Sequence, residues 1–175
     1  MRVKRFLKIS STQKLAIDLA KKGEKPWLVI VAKEQTEGKG RGKNLWYSPP
    51  GGLYFSILLP SLFFENLQLL TNLVAFLVAK VIFEKFGEKI FIKFPNDLYF
   101  KNKKIGGILT ENIIFGNKYY SVLGIGLNTN IEKFPESLKK KATSLYLETG
   151  KKIDNEEILN IILKEIKKEI EIFIK

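Results

Sequence analysis

Residues 34–46, EQTEGKGRGKNLW, form the first group whose types and spacing could do chemistry. Glycines alternate here with two cations, Lys39 and Arg41, and an indole follows at Trp46. The backbone N–H groups of a glycine-rich turn can face an anion, and the indole offers a flat apolar surface. Arg41 is one of three arginines among 30 cations, and its planar guanidinium suits a carboxylate or a phosphate. A purely structural turn between strands is the alternative, since a glycine pattern alone has little specificity.

A second group lies in residues 93–111, KFPNDLYFKNKKIGGILTE. The Pro-Asn-Asp bend at 95–97 is followed after seven residues by Lys104, so a hairpin of this length would return Lys104 to the bend. The diglycine at 106–107 would let a ligand lie against the backbone. A surface hairpin with solvated lysines is the competing interpretation.

The third group is LGIGLNTN, in which Gly124 and Gly126 alternate along a predicted strand and Asn128 follows. Missing side chains on one face of a strand indicate either a bulge or a group pressed against that face. The three groups together predict a cationic, glycine-lined site with a flat aromatic wall.

The composition restricts the chemistry that such a site can use. The chain has neither histidine nor cysteine, which excludes disulfides, thiolate metal sites, a cysteine nucleophile and the commonest general base. The net charge of +12 favours anionic partners, but the lysines are dispersed, so a nucleic-acid-binding domain stays only as an alternative. The amino terminus lacks a signal-like apolar run, and polar residues interrupt the longest hydrophobic segment, 67–83. We therefore expect a cytoplasmic protein without a membrane partner.

The spacing of apolar residues and the positions of capping and turn residues predict the helices and strands that would position these groups. A Ser10-to-Gln13 spacing predicts a capping box and a first helix that ends near Gly23. WLVIVAKE, at 27–34, predicts a buried strand ahead of the glycine loop, and GGLYFSILLP, at 51–60, predicts a strand after it.

Apolar spacing predicts a long core helix over 65–85 and an amphipathic helix from Asp154, its N-cap, to the end of the chain. Between them, residues 89–130 read as a run of strands. The predicted turns are at 95–97, 101–102, 106–107 and 116–117. We expect residues 1–175 to form a single α+β domain with a mixed, largely antiparallel sheet and helices packed on it.

Taken in order, the motifs resemble those of the biotin protein ligase family. The loop resembles its Gly-Arg-Gly-Arg-x-Gly-Arg-x-Trp signature, with Lys39 where the family usually has Arg. KFPND and KKIGGIL resemble its Lys-Trp-Pro-Asn-Asp and Lys-x-x-Gly-Ile-Leu pair, and GIGLNTN is similar to its Gly-Ile-Gly-Ile-Asn element. SST at 10–12 and ATSLYLETGKKID, before the last helix, also resemble family segments.

The resemblance implies a catalytic domain with the class II aminoacyl-tRNA-synthetase-like fold. It implies an enzyme that joins biotin to ATP with Mg²⁺, giving biotinyl-5′-AMP, and passes biotin to a lysine of a biotin carboxyl carrier protein of acetyl-CoA carboxylase or a related carboxylase. It is compatible with a homodimer and implies no nucleic acid partner and no metal site built from protein ligands alone. Compared with the family, we expect this chain to lack the N-terminal DNA-binding domain and the C-terminal small β-barrel.

Two alternatives share this architecture. One is a lipoate or octanoate transferase, whose Arg-Arg-x-x-Gly-Gly-Gly pattern does not occur here. The other is a noncatalytic biotin-binding domain, which would bind biotin but release no pyrophosphate.

By position, the resemblance also implies the roles of site residues. Lys104 would contact the biotin carboxylate and the α-phosphate, with Arg41 beside it, and Asp97 would support the turn and assist the incoming lysine amine. The implied catalytic residues are Lys104, Arg41 and Asp97. The implied biotin-binding residues are Ser11, Thr12, Gln35, Gly38, Lys39, Gly40, Arg41, Lys104, Gly107, Gly124 and Gly126. The implied ATP-binding residues are Lys39, Arg41, Trp46, Asn96, Lys104 and Asn128.

Overall fold

The computed structural model describes residues 1–60 and 66–174, whose strands form one seven-stranded sheet. The strands are β1 (Arg2–Ile9), β2 (Leu28–Gln35), β3 (Leu53–Pro60), β4 (Phe91–Lys93), β5 (Asp97–Phe100), β6 (Lys103–Phe115) and β7 (Lys118–Leu127). The helices are α1 (Thr12–Lys21), α2 (Leu67–Phe86), α3 (Glu136–Lys139), α4 (Leu145–Thr149) and α5 (Asn155–Ile174). The sheet order is β1-β2-β3-β7-β6-β5-β4, in which β1 and β2 are parallel and all other neighbours are antiparallel. The predicted α+β class and its mixed, largely antiparallel sheet are confirmed.

Helix α2 lies on one face of the sheet, and α5 packs beside it. Strands β3 and β7 direct Phe55, Ile57 and Ile125 into this core, where each is at most 2% exposed. The side chain of Asn66 caps the start of α2 by accepting a first-turn backbone N–H at 2.9 Å, and Gly87 ends the helix in the left-handed conformation. This face is therefore closed by large apolar side chains.

By length and composition alone α2 could cross a membrane, since its most apolar 18-residue window has a mean hydropathy of 1.7. In the fold, however, Leu70, Val74, Val78 and Ile82 are fully buried in the core that the helix shares with the sheet. It is the core helix predicted over 65–85, of which residue 65 lies outside the described residues.

Helix α1 packs on the opposite face, against β2, β3 and β7. Its buried residues Ala16 and Ala20 are small, so the helix lies close to the sheet. The helix is capped by Ser11, whose Oγ accepts the backbone N–H of Lys14 at 3.3 Å. The predicted capping box, Ser10 to Gln13, is therefore wrong by one residue. Ser11 is the extended residue that precedes the first turn, and the side chain of Gln13 turns toward the sheet instead.

One strand was not predicted, and one predicted turn is wrong. Residues 2–9 form β1, a half-exposed edge strand whose Arg2 and Lys4 pair with Glu24. The diglycine at 106–107 lies inside β6 and not in a turn, because β5 and β7 flank it on both sides. The turns at 101–102 and 116–117 and the N-cap at residue 154 are confirmed, whereas the turn predicted at 95–97 lies at 94–96, because Asp97 already belongs to β5.

Candidate active site

The middle of the sheet is hollow on the α1 face. In one row across the strands Ser56 lies beside Gly124, and in the next row Gly126 lies beside Gly107. These small residues leave a cavity of about 180 Å³ between the sheet, the start of α1 and the glycine loop. A Cβ at residue 124 would lie 2.5 Å from Gln13 Oε1, so a larger residue there would displace the end of the Gln13 side chain.

The closed end of this first cavity is polar and hydrogen-bonded. The backbone N–H and the hydroxyl of Thr12 both contact Gln35 Oε1, at 2.8 and 3.0 Å. The Nε2 of Gln35 donates to Ser48 Oγ at 2.9 Å, which holds the loop against β2. Ser11 also lines the cavity. Such fixed donors and acceptors in a small cavity would recognise a neutral polar group on a ligand.

Two residues at this end are absent from the residues predicted for the site. Ser56 Oγ is fully buried, contacts Thr12 Oγ1 at 2.9 Å, and donates to Gln13 Oε1 at 3.0 Å. The signal for Ser56 is its lone hydroxyl in the apolar strand LYFSILLP. No comparable signal identifies Gln13, because only the strand positions opposite α1 reveal which way its side chain turns.

The glycine loop folds back on the sheet as a short hairpin. Bridges join Gln35 to Ser48 and Lys39 to Leu45, and the loop reverses near Gly42, which has a φ of +67°. This reversal brings the Trp46 indole over the hollow. A Cβ at Gly126 would lie 2.5 Å from Trp46 Nε1, so the indole contacts the bare strand.

Lys104 lies at the open end of the cavity. Its Nζ is 2.7 Å from Asp97 Oδ1 and 5.2 Å from the centre of the Trp46 ring. The bend holds this pair through Asn96, whose Nδ2 donates to the carbonyl of Ile108 at 3.0 Å. The hairpin therefore returns Lys104 to the bend, as the spacing predicts.

A second cavity, of about 270 Å³, adjoins the first. Tyr47 and Phe134 form an aromatic pair on its wall, with ring centres 6.2 Å apart. Asn128 lines it too; its Nδ2 donates to the Thr143 carbonyl at 3.0 Å, while its buried Oδ1 has no hydrogen-bond partner among the described residues. Four of the described residues line both cavities. They are Leu45, Trp46, Asp97 and Lys104.

The charge at this junction is mainly positive. Lys39, Arg41 and Lys104 line the first cavity, and neither Lys39 nor Arg41 forms an ion pair with any described residue. Asp97 is the only acidic residue among the described residues that line either cavity, and they contain no group of three or more potential metal ligands. Mg²⁺ is commonly bound by one or two carboxylates together with substrate phosphates, so the site fits an ion that arrives with a nucleotide.

Most of the residues predicted for the site converge on the two cavities. The predicted residues that line the first cavity are Ser11, Thr12, Gln35, Lys39, Gly40, Arg41, Trp46, Asn96, Asp97, Lys104, Gly107, Gly124 and Gly126. Asn128 lines only the second cavity. Gly38 lines neither. It is buried within the loop, where a Cβ would lie 2.5 Å from both Ser48 Oγ and the Trp46 carbonyl oxygen, so it shapes the hairpin.

Comparison with known proteins gives consistent matches. The model of the biotin/lipoate A/B protein ligase family matches residues 6–128. The bifunctional ligase/repressor BirA of Bacillus subtilis strain 168 is 39% identical over 160 residues, which are 89% of this chain and 49% of BirA. This chain thus spans about half the length of that curated relative.

Solved structures agree with this match. Biotin protein ligase from Aquifex aeolicus, in complex with biotin and ATP, superposes with a TM-score of 0.87 at 35% identity, covering 98% of this chain and 71% of the ligase. Biotin acetyl coenzyme A carboxylase synthetase from Helicobacter pylori, with bound biotinylated ATP, gives 0.73 at 26% identity, covering 95% and 74%. The predicted class II synthetase-like fold is confirmed by these relatives.

Proposed function

Because this chain belongs to the biotin/lipoate A/B protein ligase family, we propose that it is the catalytic domain of a biotin protein ligase. In the proposed reaction the biotin carboxylate attacks the α-phosphate of ATP, pyrophosphate leaves, and biotinyl-5′-AMP forms. A carrier-protein lysine amine then attacks the acyl carbon, the acyl C–O bond breaks, AMP leaves, and the amine loses a proton.

The observation that carries this proposal is the position of Lys104 where the two cavities meet. An acid bound in the first cavity and a nucleotide bound in the second would place a carboxylate and a phosphate next to the same ammonium group. Two unit charges about 4 Å apart repel by about 4 kcal/mol at an effective dielectric of 20. Lys104 offsets this repulsion, and it opposes the charge that develops on the α-phosphate in the transition state.

The closed end of the first cavity favours biotin over lipoate or octanoate as the acid. The ureido ring of biotin has one carbonyl oxygen and two N–H groups, which can pair with amides and hydroxyls. Here Thr12, Gln35 and Ser56 supply such groups. An alkyl chain or a dithiolane ring has no N–H or carbonyl group to offer, so it would remove water from this polar end of the cavity without forming a hydrogen bond in return.

The second cavity favours ATP over GTP. Asn128 Oδ1 is a buried acceptor without a partner among the described residues, and adenine has an exocyclic amino group that can donate to it. Guanine carries an oxygen at the equivalent ring position, which cannot donate. The aromatic pair of Tyr47 and Phe134 gives a planar base an apolar wall.

Mg²⁺ would accompany the ATP phosphates, with Asp97 as the one described carboxylate lining the cavities that could contact it. When bound, the ion would offset phosphate charge. Lys39 and Arg41, on the loop, would add two further cations to the first cavity. No cysteine or histidine is needed, because the acyl group is carried as a mixed anhydride with AMP and not on the enzyme.

A pyrophosphate-release assay tests the proposed function. The protein is mixed with Mg-ATP or Mg-GTP and with biotin, lipoate or octanoate in separate reactions. We expect release with biotin and ATP, and at least tenfold less release with the other combinations. Pyrophosphate release with lipoate or octanoate but not with biotin would favour the lipoate or octanoate alternative instead. Binding of biotin without release of pyrophosphate would identify a noncatalytic domain.

A further inference from the structure

Glu111 lies outside both cavities but controls a group that faces the first one. It is on β6, opposite Val122 of β7, and its side chain is partly buried on the α1 face of the sheet. Its Oε2 accepts a hydrogen bond from Gln13 Nε2 at 2.8 Å, and the same nitrogen donates to the Val122 carbonyl at 3.2 Å. Both hydrogens of the Gln13 amide are therefore used on the side away from the cavity.

This arrangement fixes which end of the Gln13 amide faces the ligand space. A carboxylate accepts hydrogen bonds and does not donate them, so only the nitrogen end of the amide can face Glu111. Gln13 Oε1 is then held toward Gly124 and Ser56. A glutamine or a water molecule in place of the carboxylate can either accept or donate, so only the longer contact to the Val122 carbonyl, at 3.2 Å, would still favour this orientation of the amide.

The orientation of the Gln13 amide also determines which way the buried hydroxyl of Ser56 donates its hydrogen bond. Ser56 Oγ–H donates to Gln13 Oε1, so Ser56 Oγ can act only as an acceptor toward Thr12, whose single hydroxyl hydrogen lies within reach of both Ser56 Oγ and Gln35 Oε1. Hydrogen bonds aligned in one direction strengthen one another in a low-dielectric interior. This series of hydrogen bonds, from Ser56 through Gln13, ends on the Glu111 carboxylate. Ser56 and Gln13 therefore present oxygen acceptors toward the cavity.

We propose that Glu111 is a positioning residue that holds acceptors toward the ligand and thereby selects an acid whose ring carries N–H groups. This inference rests on the proposed function and adds to it a residue that has no contact with the substrate. Glu111 acts only through Gln13, so it should affect recognition of the acid and leave the nucleotide step unchanged.

The test compares Glu111→Leu, Glu111→Gln and, as a matched control, Glu34→Gln, which removes a partly exposed carboxylate on β2 that pairs with Lys8. Biotin binding is measured by calorimetry without ATP, and KM for biotin, KM for ATP, kcat and the thermal midpoint are measured in parallel. We expect Glu111→Leu to weaken biotin binding and raise its KM by about fivefold to tenfold, because one oriented hydrogen bond is lost. Glu111→Gln should show a smaller effect, because it can still accept from Gln13, and Glu34→Gln should show none.

A role in folding alone predicts a different pattern, in which the thermal midpoint falls and both KM values move together. That pattern, or biotin binding by Glu111→Leu at the wild-type affinity, overturns the positioning role while the proposed function stands. A wild-type protein that neither binds biotin nor releases pyrophosphate with it overturns both.

Discussion

Strands β3 and β7 present large apolar side chains to α2 on one face of the sheet and small or polar residues on the other. Ile57 and Ser56 are neighbours in β3, and each is fully buried, but Ile57 faces the core and Ser56 faces the cavity. On β7, Ile125 and Gly126 alternate in the same way. The strands that give the fold its largest core thus form the floor of the site.

Within each of these strands, the residues that stabilise the fold and the residues that form the site therefore lie on opposite faces. Side chains on the α2 face make close apolar contacts, so removing atoms from them should cost stability. The cavity face carries glycines and a serine, so adding atoms there should fill the cavity and lower the affinity for a ligand. Variants on adjacent strand positions can therefore test whether the two faces are as independent as their packing indicates.

The largest effect is expected at Lys104. Replacing it with alanine removes the cation at the junction, and we expect pyrophosphate release to fall by about 10²–10³-fold. Biotin binding without ATP should change by less than about threefold, since the polar end of the first cavity stays intact. Lys103→Ala, an exposed neighbour on β6, is the matched control and should keep normal activity. Adenylate formation by Lys104→Ala at the wild-type rate would show that Lys104 has no role in the reaction.

The second prediction concerns the closed face. Ile57→Ala leaves a void between β3 and α2, and we expect the free energy of unfolding to fall by about 2–4 kcal/mol. Chemical denaturation followed by circular dichroism measures this loss. Biotin binding by the folded protein should stay within about twofold of the wild type, because residue 57 does not line either described cavity. A large loss of affinity with unchanged stability would mean that the two faces are coupled.

The third prediction fills the hollow face. In Gly126→Ala the new Cβ would lie 2.5 Å from Trp46 Nε1, so the rigid indole must shift. We expect biotin affinity and adenylate formation to fall by about tenfold, with the free energy of unfolding changed by less than about 1 kcal/mol. Gly107→Ala is the matched control, since its Cβ would meet Trp46 at an ordinary 3.4 Å and should have the smaller effect. Equal losses in the two variants would argue against steric displacement of Trp46.

The sequence predicts the closed face better than the hollow one. Apolar periodicity identifies α2, α5 and the buried strands, because the pattern of a core depends on local spacing. Motif order likewise identifies Lys104, Trp46 and the glycine floor. Gln13 and Glu111 escape prediction because they come together only when β6 and β7 pair and α1 lies across them. The strand β1 escapes because its alternating charges and half-exposed edge lack a clear strand pattern.

The smallest effect is expected far from the site, where α2 meets α5. Lys80 lies 3.0 Å from Glu165, and this hydrogen-bonded ion pair lowers the pKa of the Glu165 carboxyl below its ordinary 4.5. A lowered folded-state pKa stabilises the protein above pH 4.5, and that contribution is lost as the pH falls through the folded-state value. Glu165→Gln should therefore lower the thermal midpoint at pH 7 by only about 1–3 °C, because a partly exposed ion pair contributes little.

At pH 3 the difference between Glu165→Gln and the wild type should shrink, because this pH lies below the ordinary pKa of 4.5 and the unfolded wild-type chain binds a proton at Glu165 there. Glu84→Gln, whose carboxylate is more exposed and 3.8 Å from the same lysine, is the control and should have the smaller effect on the thermal midpoint at pH 7. Thermal midpoints of the three proteins at both pH values measure this. Adenylate formation at pH 7 should be equal in all three, because the pair lies on the closed face. A change in activity would show that the α2–α5 layer influences the cavity through the sheet. Such coupling would contradict the independence of the two faces that the opposite orientations of Ile57 and Ser56 indicate.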